Sequence, residues 1–506
     1  MSTKKILTRL WSFLPGFMAW GTILGLLLLS FTAPNTVLIL VLIYAIYWLV
    51  KVFIITGHLV VGTVKYNQDI RKNWHEQLKK DFPGKFENYY HLAIVPTYKE
   101  DITILRHTLS AIANSSYNLE KILVAVAFEE RDKENAKVFA KILSHEFGNI
   151  FGQLFITFHP SDIAGEVRGK GPNITYCARE ITKEILKNHL AQDVIVTTLD
   201  ADNRVDKNYF ANLTWNYCNT PDPLHKSFQP IPMFFNNIWK VPLPVKITAL
   251  GSSFWQIIQA MRPHYARNFS AHAQSLEALI ATDYWSVTTV VEDGHQYWRT
   301  YFRFHGNHHV VPMFVPVYMD AVQGEDLYDT FREQYLQRRR WFWGVSDIPY
   351  VFEHSFGNSK IPFLYKWLQF FRLVEAHYSL STQSFILLIG WLPLFLYPSF
   401  ENTVLGYNFP IVYRTFLTAA WIGLIANMSV ASMLVPPRPG NKGVYALTLL
   451  KEWVLAPIML SVSAVLFSAL PALDSQTRLM LNKPFTVFNV TKKAAVQEGV
   501  ERHSLA

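Results

Sequence analysis

The stretch "VIVTTLDADN", residues 194–203, decides the fold. A run of mostly β-branched residues leads into Leu199, and Asp200 and Asp202 follow with one alanine between them. β-Branched residues favour a strand. A buried strand that ends on two like charges needs something positive between them. In an open α/β sheet, ligands bind beyond the carboxyl ends of the strands. Two carboxylates at such an end can hold Mg2+ or Mn2+, which prefer oxygen ligands and often bridge protein to phosphate. The plainer reading of the pair is a turn or capping aspartate.

The neighbouring sequence supports such a sheet. "HLAIVPTY", "KILVAVAF" and "QLFITF" are further short apolar runs, separated by helix-length charged stretches. That alternation reads as βαβ units and a mostly parallel sheet. No stretch between residues 68 and 361 is long and apolar enough to span a bilayer.

The rest of the chain differs. Of 506 residues, 50% are hydrophobic and 17% charged, which suits a membrane part joined to a globular part. Residues 11–31 carry no charge, and at 1.5 Å per residue they cross a hydrocarbon layer of roughly 30 Å. Residues 36–56 form a second run broken only by Lys51, after the turn "TAPN". Lys4, Lys5 and Arg9 precede the pair, and Lys65, Arg71 and Lys72 follow it. Positive residues on both flanks put both in the cytoplasm, as a helical hairpin. A signal peptide fits less well, because the apolar core is long and a second run follows at once.

Apolar character returns near residue 362. Lys366, Gln369, Arg372 and Glu375, three apart, mark a polar stripe suited to an interfacial helix. Spans follow at about residues 382–398 and 412–434. Residues 447–470 read as one span or as a hairpin broken at Pro457. The expected divisions are a hairpin over 1–64, a catalytic domain over 65–345, interfacial and membrane helices over 346–481, and a basic tail over 482–506.

The net charge of +9 comes without a long Lys/Arg run interleaved with exposed aromatics, which argues against nucleic acid. Cys177 and Cys218 alone exclude a disulfide framework. A transporter would carry ionisable residues at mid-depth, and only Lys51 and His58, near the end of the second run, come close.

Two more motifs carry chemistry. "TTVVEDGHQYWRT", residues 288–300, is another β-branched run ending on carboxylates, Glu292 and Asp293. A carboxylate there can take the proton of an attacking hydroxyl; the plainer reading is a helix N-cap. "EQYLQRRRWFWG", residues 333–344, sets Arg338, Arg339 and Arg340 among aromatics. Arginine forks bind phosphate oxygens, and tryptophan offers a flat face to a sugar; the plainer reading is a basic helix on the membrane surface. His305, His308 and His309 invite zinc, but Gly306-Asn307 is a turn signal and no fourth ligand is near in sequence.

In that order, Asp200-Ala-Asp202, Glu292-Asp293 and Gln337-Arg338-Arg339-Arg340-Trp341 resemble the D-x-D, E-D and Q-R-x-R-W series of family 2 glycosyltransferases. The layout resembles the membrane-embedded branch that includes cellulose and hyaluronan synthases. The resemblance implies a GT-A type nucleotide-binding fold, a nucleotide-sugar donor (a UDP-sugar foremost) and Mg2+ or Mn2+. Pro96, Thr97, Tyr98 and Glu100 in "VPTYKED" would meet the nucleoside, as would Lys170 in "GKGPNIT". Asp200 and Asp202 would hold uridine and metal, and Asp293 would be the base. Glu292, Gln337, Arg338, Arg340 and Trp341 would hold the acceptor and diphosphate. Where the family has paired aspartates this chain has "VAFEERD", so Glu129 or Glu130 must substitute. "FSAHAQS", residues 269–275, departs from the family's F-C-G-S or G-T-N, and "FQPIPMFFNN", residues 228–237, has no close parallel.

The implied activity is inverting transfer of a sugar to a polysaccharide acceptor, at the cytoplasmic face of the inner (plasma) membrane. A single transfer to a lipid-linked acceptor and a non-catalytic binding protein are the alternatives. The partners are then donor, glycan or lipid-linked acceptor and bilayer, with no nucleic acid.

Overall fold

The computed structural model describes residues 3–397, 402–438 and 442–485. Its sheet has eight strands in the order β3-β2-β1-β4-β7-β6-β8-β5. The strands are β1 Tyr90–Thr97, β2 Ile122–Glu129, β3 Gln153–His159, β4 Val194–Thr198, β5 Arg204–Val205, β6 Ser227–Met233, β7 Ala273–Ser275 and β8 Val310–Tyr318. The first four are parallel. β7 runs antiparallel to both β4 and β6, β6 pairs with β8 in parallel, and β5 is antiparallel to β8. The sheet is therefore mixed, with its parallel half where the four apolar runs lie.

The parallel half is covered on both faces, as its continuous hydrophobic strands require. Val95, Val124 and Ile195 face Leu105, Leu109 and Leu213 on one side. Ile94, Ala125 and Val196 face Ile174, Cys177 and Ile181 on the other. β1 lies between β2 and β4, so the chain leaves it in opposite directions on either side. That reversal opens a crevice beyond the strand ends.

Among the described residues, five helices are long and apolar enough to cross a membrane: Lys4–Thr32, Pro34–Asp69, Phe363–Leu396, Val404–Leu434 and Ala446–Met480. The segment read as an interfacial helix and then a span runs as one helix, Phe363–Ile389. Its polar stripe is consumed by packing: Gln369 accepts from Arg267 at 2.9 Å and Glu375 pairs with Lys51 at 2.7 Å. Pro457 sits inside helix Lys442–Ala464, which continues through a π-helical turn, Val465–Ala469, into Leu470–Met480. No hairpin forms there. Close approach joins the second membrane helix to its neighbours: a Cβ on Gly390 would meet Val41 Cγ1 at 2.5 Å, and one on Gly62 would meet Ile257 Cγ2, in helix Leu243–Ala260, at 2.6 Å. The tail, with Lys492 and Lys493, lies outside the described residues.

Candidate active site

A cavity of about 290 Å³ opens at the carboxyl ends of β1, β2 and β4. Its size approaches the lower end of small-molecule sites, about 300 Å³. At the end of β1, Pro96, Thr97, Tyr98 and Glu100 line it. Thr97 Oγ1 donates to Glu100 Oε2 at 2.9 Å, which folds this turn onto itself. The Arg131 guanidinium lies 4.5 Å above the Tyr98 ring. At the end of β2 it is Glu129 that faces the cavity; Glu130 does not line it. Glu129 Oε2 accepts from Arg131 and lies 3.2 Å from His159 Nδ1, while His159 Nε2 lies 2.9 Å from Glu166. Burial opposes charge on His159, but the two carboxylates outweigh it and raise its pKa.

Lys170 opens helix Lys170–Ile185 and is the hub of the site. Its Nζ lies 2.9 Å from Asp200 Oδ1, 3.4 Å from Asp293 Oδ2 and 3.7 Å from Glu292 Oε1. Burial disfavours this ammonium, yet Asp200, Asp293 and Glu292 together raise its pKa well above the ordinary lysine value. Asp200 also accepts from Ser270 Oγ at 2.6 Å, and Asp202 from the Asp320 amide at 3.1 Å.

Glu292 and Asp293 do not end a strand. Residues 288–291 form no ladder, and the two carboxylates open helix Glu292–Arg303. The N-cap position itself falls on Val291, not on either carboxylate. They face the cavity instead, at the positive end of the helix dipole. Burial, reinforced by Asp293, raises the Glu292 pKa.

Helix Leu327–Phe342 brings in Gln337, Arg340 and Trp341. Trp341 packs against Phe234 and Phe269, with ring centroids 5.9 and 5.5 Å away. Burial lowers the Arg340 pKa, with Glu292, Asp200 and Asp293 opposing. Arg338 is not among the cavity residues. Its Nε donates to the Phe467 carbonyl at 3.0 Å and its Nη1 to Ser252 Oγ at 3.1 Å. So of the residues that the resemblance implies for donor, metal and acceptor, all but Arg338 and the alternative Glu130 converge on one cavity.

The histidine trio is not a metal centre. His308 Nδ1 lies 2.6 Å from the His225 carbonyl, and among the described residues no group of three or more His, Cys, Asp or Glu could hold a metal. Asp200 and Asp202 still suit Mg2+ or Mn2+, which commonly take one or two protein carboxylates and draw the rest from phosphate and water. The charge of the cavity fits the same ions. Eight carboxylates line it against four cations, Arg131, Arg168, Lys170 and Arg340, so a diphosphate alone would enter against excess negative charge.

Three residues in or behind the lining carry no sequence motif. Asn268 has both amide atoms buried without a partner. Phe234, from the stretch without a parallel, forms one wall. His272, behind the cavity, lies 3.4 Å from Asp293 Oδ1. Only the polar residues inside "NFSAHAQS" hinted at the first and last.

No protein-family model matches the chain, and no curated protein matches it. Among solved structures, a mannosyltransferase, PcManGT from Pyrobaculum calidifontis, in complex with GDP-Man and Mn2+, is 16% identical over 78% of this chain and 99% of its own, with a TM-score of 0.42. TarS 1-349 of S. aureus in complex with UDP-GlcNAc is 12% identical over 78% of this chain and 92% of its own, with a TM-score of 0.34. At such scores the likeness is loose, and the site stands on this chain's own residues.

Proposed function

We propose that the chain is a membrane-bound glycosyltransferase of GT-A type and of the family 2 kind. It would move a sugar, with inversion, from a nucleotide-sugar donor to a glycan acceptor at the cytoplasmic face of the plasma membrane. One observation carries this reading: Asp200, Asp202, Asp293, Arg340 and Trp341, scattered over more than a hundred residues, line the same cavity.

The donor nucleoside would lie along Pro96, Thr97 and Tyr98, with Glu129 beneath it. Asp200 and Asp202 would hold Mg2+ or Mn2+. When bound, such an ion neutralises the diphosphate and stabilises it as a leaving group. Lys170 and Arg340 add fixed positive charge on the same side. Asp293 takes the proton of the acceptor hydroxyl as its oxygen attacks the anomeric carbon. The bond from that carbon to the diphosphate oxygen breaks, and an α-linked donor gives a β-linked product. Trp341, Phe234 and Phe269 offer flat apolar faces to the acceptor ring, and the Asn268 amide is available to its hydroxyls.

The acceptor is a growing polysaccharide, with the Gln-Arg-x-Arg-Trp order as support. A lipid-linked acceptor taking one sugar would use the same site.

The test uses the full-length protein in detergent, labelled UDP- and GDP-sugars and Mn2+. Asp293→Asn should keep donor binding and lower turnover by roughly 10²–10⁴-fold. Unchanged turnover removes Asp293 from its role. Product length separates polymerisation from single transfer.

A further inference from the structure

His272 has no part in the chemistry described so far. It precedes β7, and its carbonyl accepts from the Thr198 amide at 3.2 Å. The strand that leads to Asp200 and Asp202 therefore also fixes the backbone position of His272. The side chain is 1% exposed. Nδ1 lies 3.0 Å from the Phe269 carbonyl and 3.4 Å from Asp293 Oδ1. On the far side, Trp285 Nε1 lies 3.4 Å from Nε2.

These neighbours dictate the tautomer. An indole N–H only donates, so Nε2 must accept. The single proton of the neutral ring then sits on Nδ1. There it bonds the Phe269 carbonyl and lies beside the Asp293 carboxylate, a second acceptor group. Burial lowers the His272 pKa, with Asp293 opposing, so the ring stays neutral. It is no proton relay, because Nε2 is already engaged by the indole.

We propose that His272 is a positioning residue for Asp293: its Nδ1–H holds one carboxylate oxygen so that the group meets the acceptor hydroxyl in a fixed orientation. This rests on Asp293 as the proton acceptor. The 3.4 Å contact is long. Catalytic hydrogen bonds in unliganded sites often are, and they tighten when substrate binds. Ser270, two residues earlier, holds Asp200 in the same way, at 2.6 Å. One loop thus steadies a carboxylate on each side of Lys170.

The experiment follows release of UDP or GDP by the full-length protein in detergent with Mn2+. The probes are UDP-glucose, UDP-N-acetylglucosamine and GDP-mannose, and the donor turned over fastest is used throughout. His272→Leu should lower kcat by about 10- to 100-fold, the scale on which misplaced groups cost rate, with donor KM within about twofold. His272→Asn puts an amide N–H near the place of Nδ1 and should recover most of the loss. His272→Gln reaches toward the place of Nε2 and should not. In an Asp293→Asn background, His272→Leu should cost nothing further, since the group it serves is gone.

The proposal is overturned by full kcat in His272→Leu, by an equal further loss in the Asp293→Asn background, or by His272→Gln matching His272→Asn. If His272→Leu does not fold, the Asn and Gln pair decides. Failure of the parent reading looks different: Asp293→Asn itself keeps full turnover, or no donor is turned over at all.

Discussion

Lys170 Nζ sits 2.9 Å from Asp200 Oδ1, and the same ammonium reaches Glu292 and Asp293. One buried cation therefore answers three carboxylates from two segments that the sequence holds far apart. Removing it leaves buried negative charge uncompensated, at a cost of about 3–5 kcal/mol. In EDTA, Lys170→Met should lower the melting temperature in detergent. A divalent cation at Asp200 and Asp202 can replace part of the lost charge, so Mn2+ should stabilise this variant more than the parent. An unchanged melt in EDTA would show that Lys170 is not the counter-charge.

Gly171, the next residue, explains how Lys170 comes so close. A Cβ there would collide with the Ser286 carbonyl oxygen and stand 3.1 Å from Glu292 Cβ. The first obstacle is backbone and cannot swing aside. Gly171→Ala should therefore push the start of helix Lys170–Ile185 off the aspartates, at an overpacking cost of about 1–3 kcal/mol, with weakened donor binding. Gly251, mid-helix with nothing within 4 Å of its Cβ position, is the control. Gly251→Ala should be stabilising, by up to about 1 kcal/mol. The same effect from both alanines would mean that contact with Ser286 is not what matters.

The parallel half of the sheet was legible because β1, β2 and β4 are apolar, β-branched and buried on both faces. β6 and β8 were not. Pro230, Pro232, Pro312 and Pro316 argue against ladder positions, yet these strands pair across a register shift between Gln229 and Ile231. Residues 288–291 erred the other way: β-branched composition suggested a strand, but no neighbour offers a ladder. The motif residues were readable from spacing and resemblance. His272 and Asn268 were not, because a polar residue in a loop gains meaning only from what it faces.

Helix geometry divides the arginines. At 100° per residue Arg338 and Arg340 lie about 200° apart, so only one can face the cavity with Gln337 and Trp341. The structure selects Arg340. Arg338 is bound to the Phe467 carbonyl in the π-helical turn Val465–Ala469, and burial pulls its pKa down to about 10. Arg340→Leu should lower turnover by roughly 10²–10³-fold, the scale for losing one preorganised donor, with the fold intact. Arg338→Leu should leave donor KM unchanged and lower stability by about 1–3 kcal/mol, the cost of an unsatisfied buried carbonyl. Melting curves and kinetics on both variants check this, and a reversed pattern would exchange the two roles.

Two histidines outside the membrane helices set an acid limit on stability. His91 and His308 are buried, at 0% and 1% exposure, and burial lowers each pKa to about 3. In the unfolded chain each titrates near 6.5. Below that value the unfolded state takes up protons that the folded state refuses. Stability from these two groups is thus complete above about pH 6.5 and falls as pH drops toward 3, by about 1.4 kcal/mol per unit for each. His159, whose pKa the carboxylates raise, works in the opposite sense and loses its contribution as pH rises. Between pH 7 and 5, His91 and His308 should together add about two protons to the acid-side slope of denaturation. His308→Asn keeps a donor for the His225 carbonyl, removes one titrating group and should reduce that slope by about one proton. A slope unchanged by His308→Asn would place the acid sensitivity elsewhere in the chain.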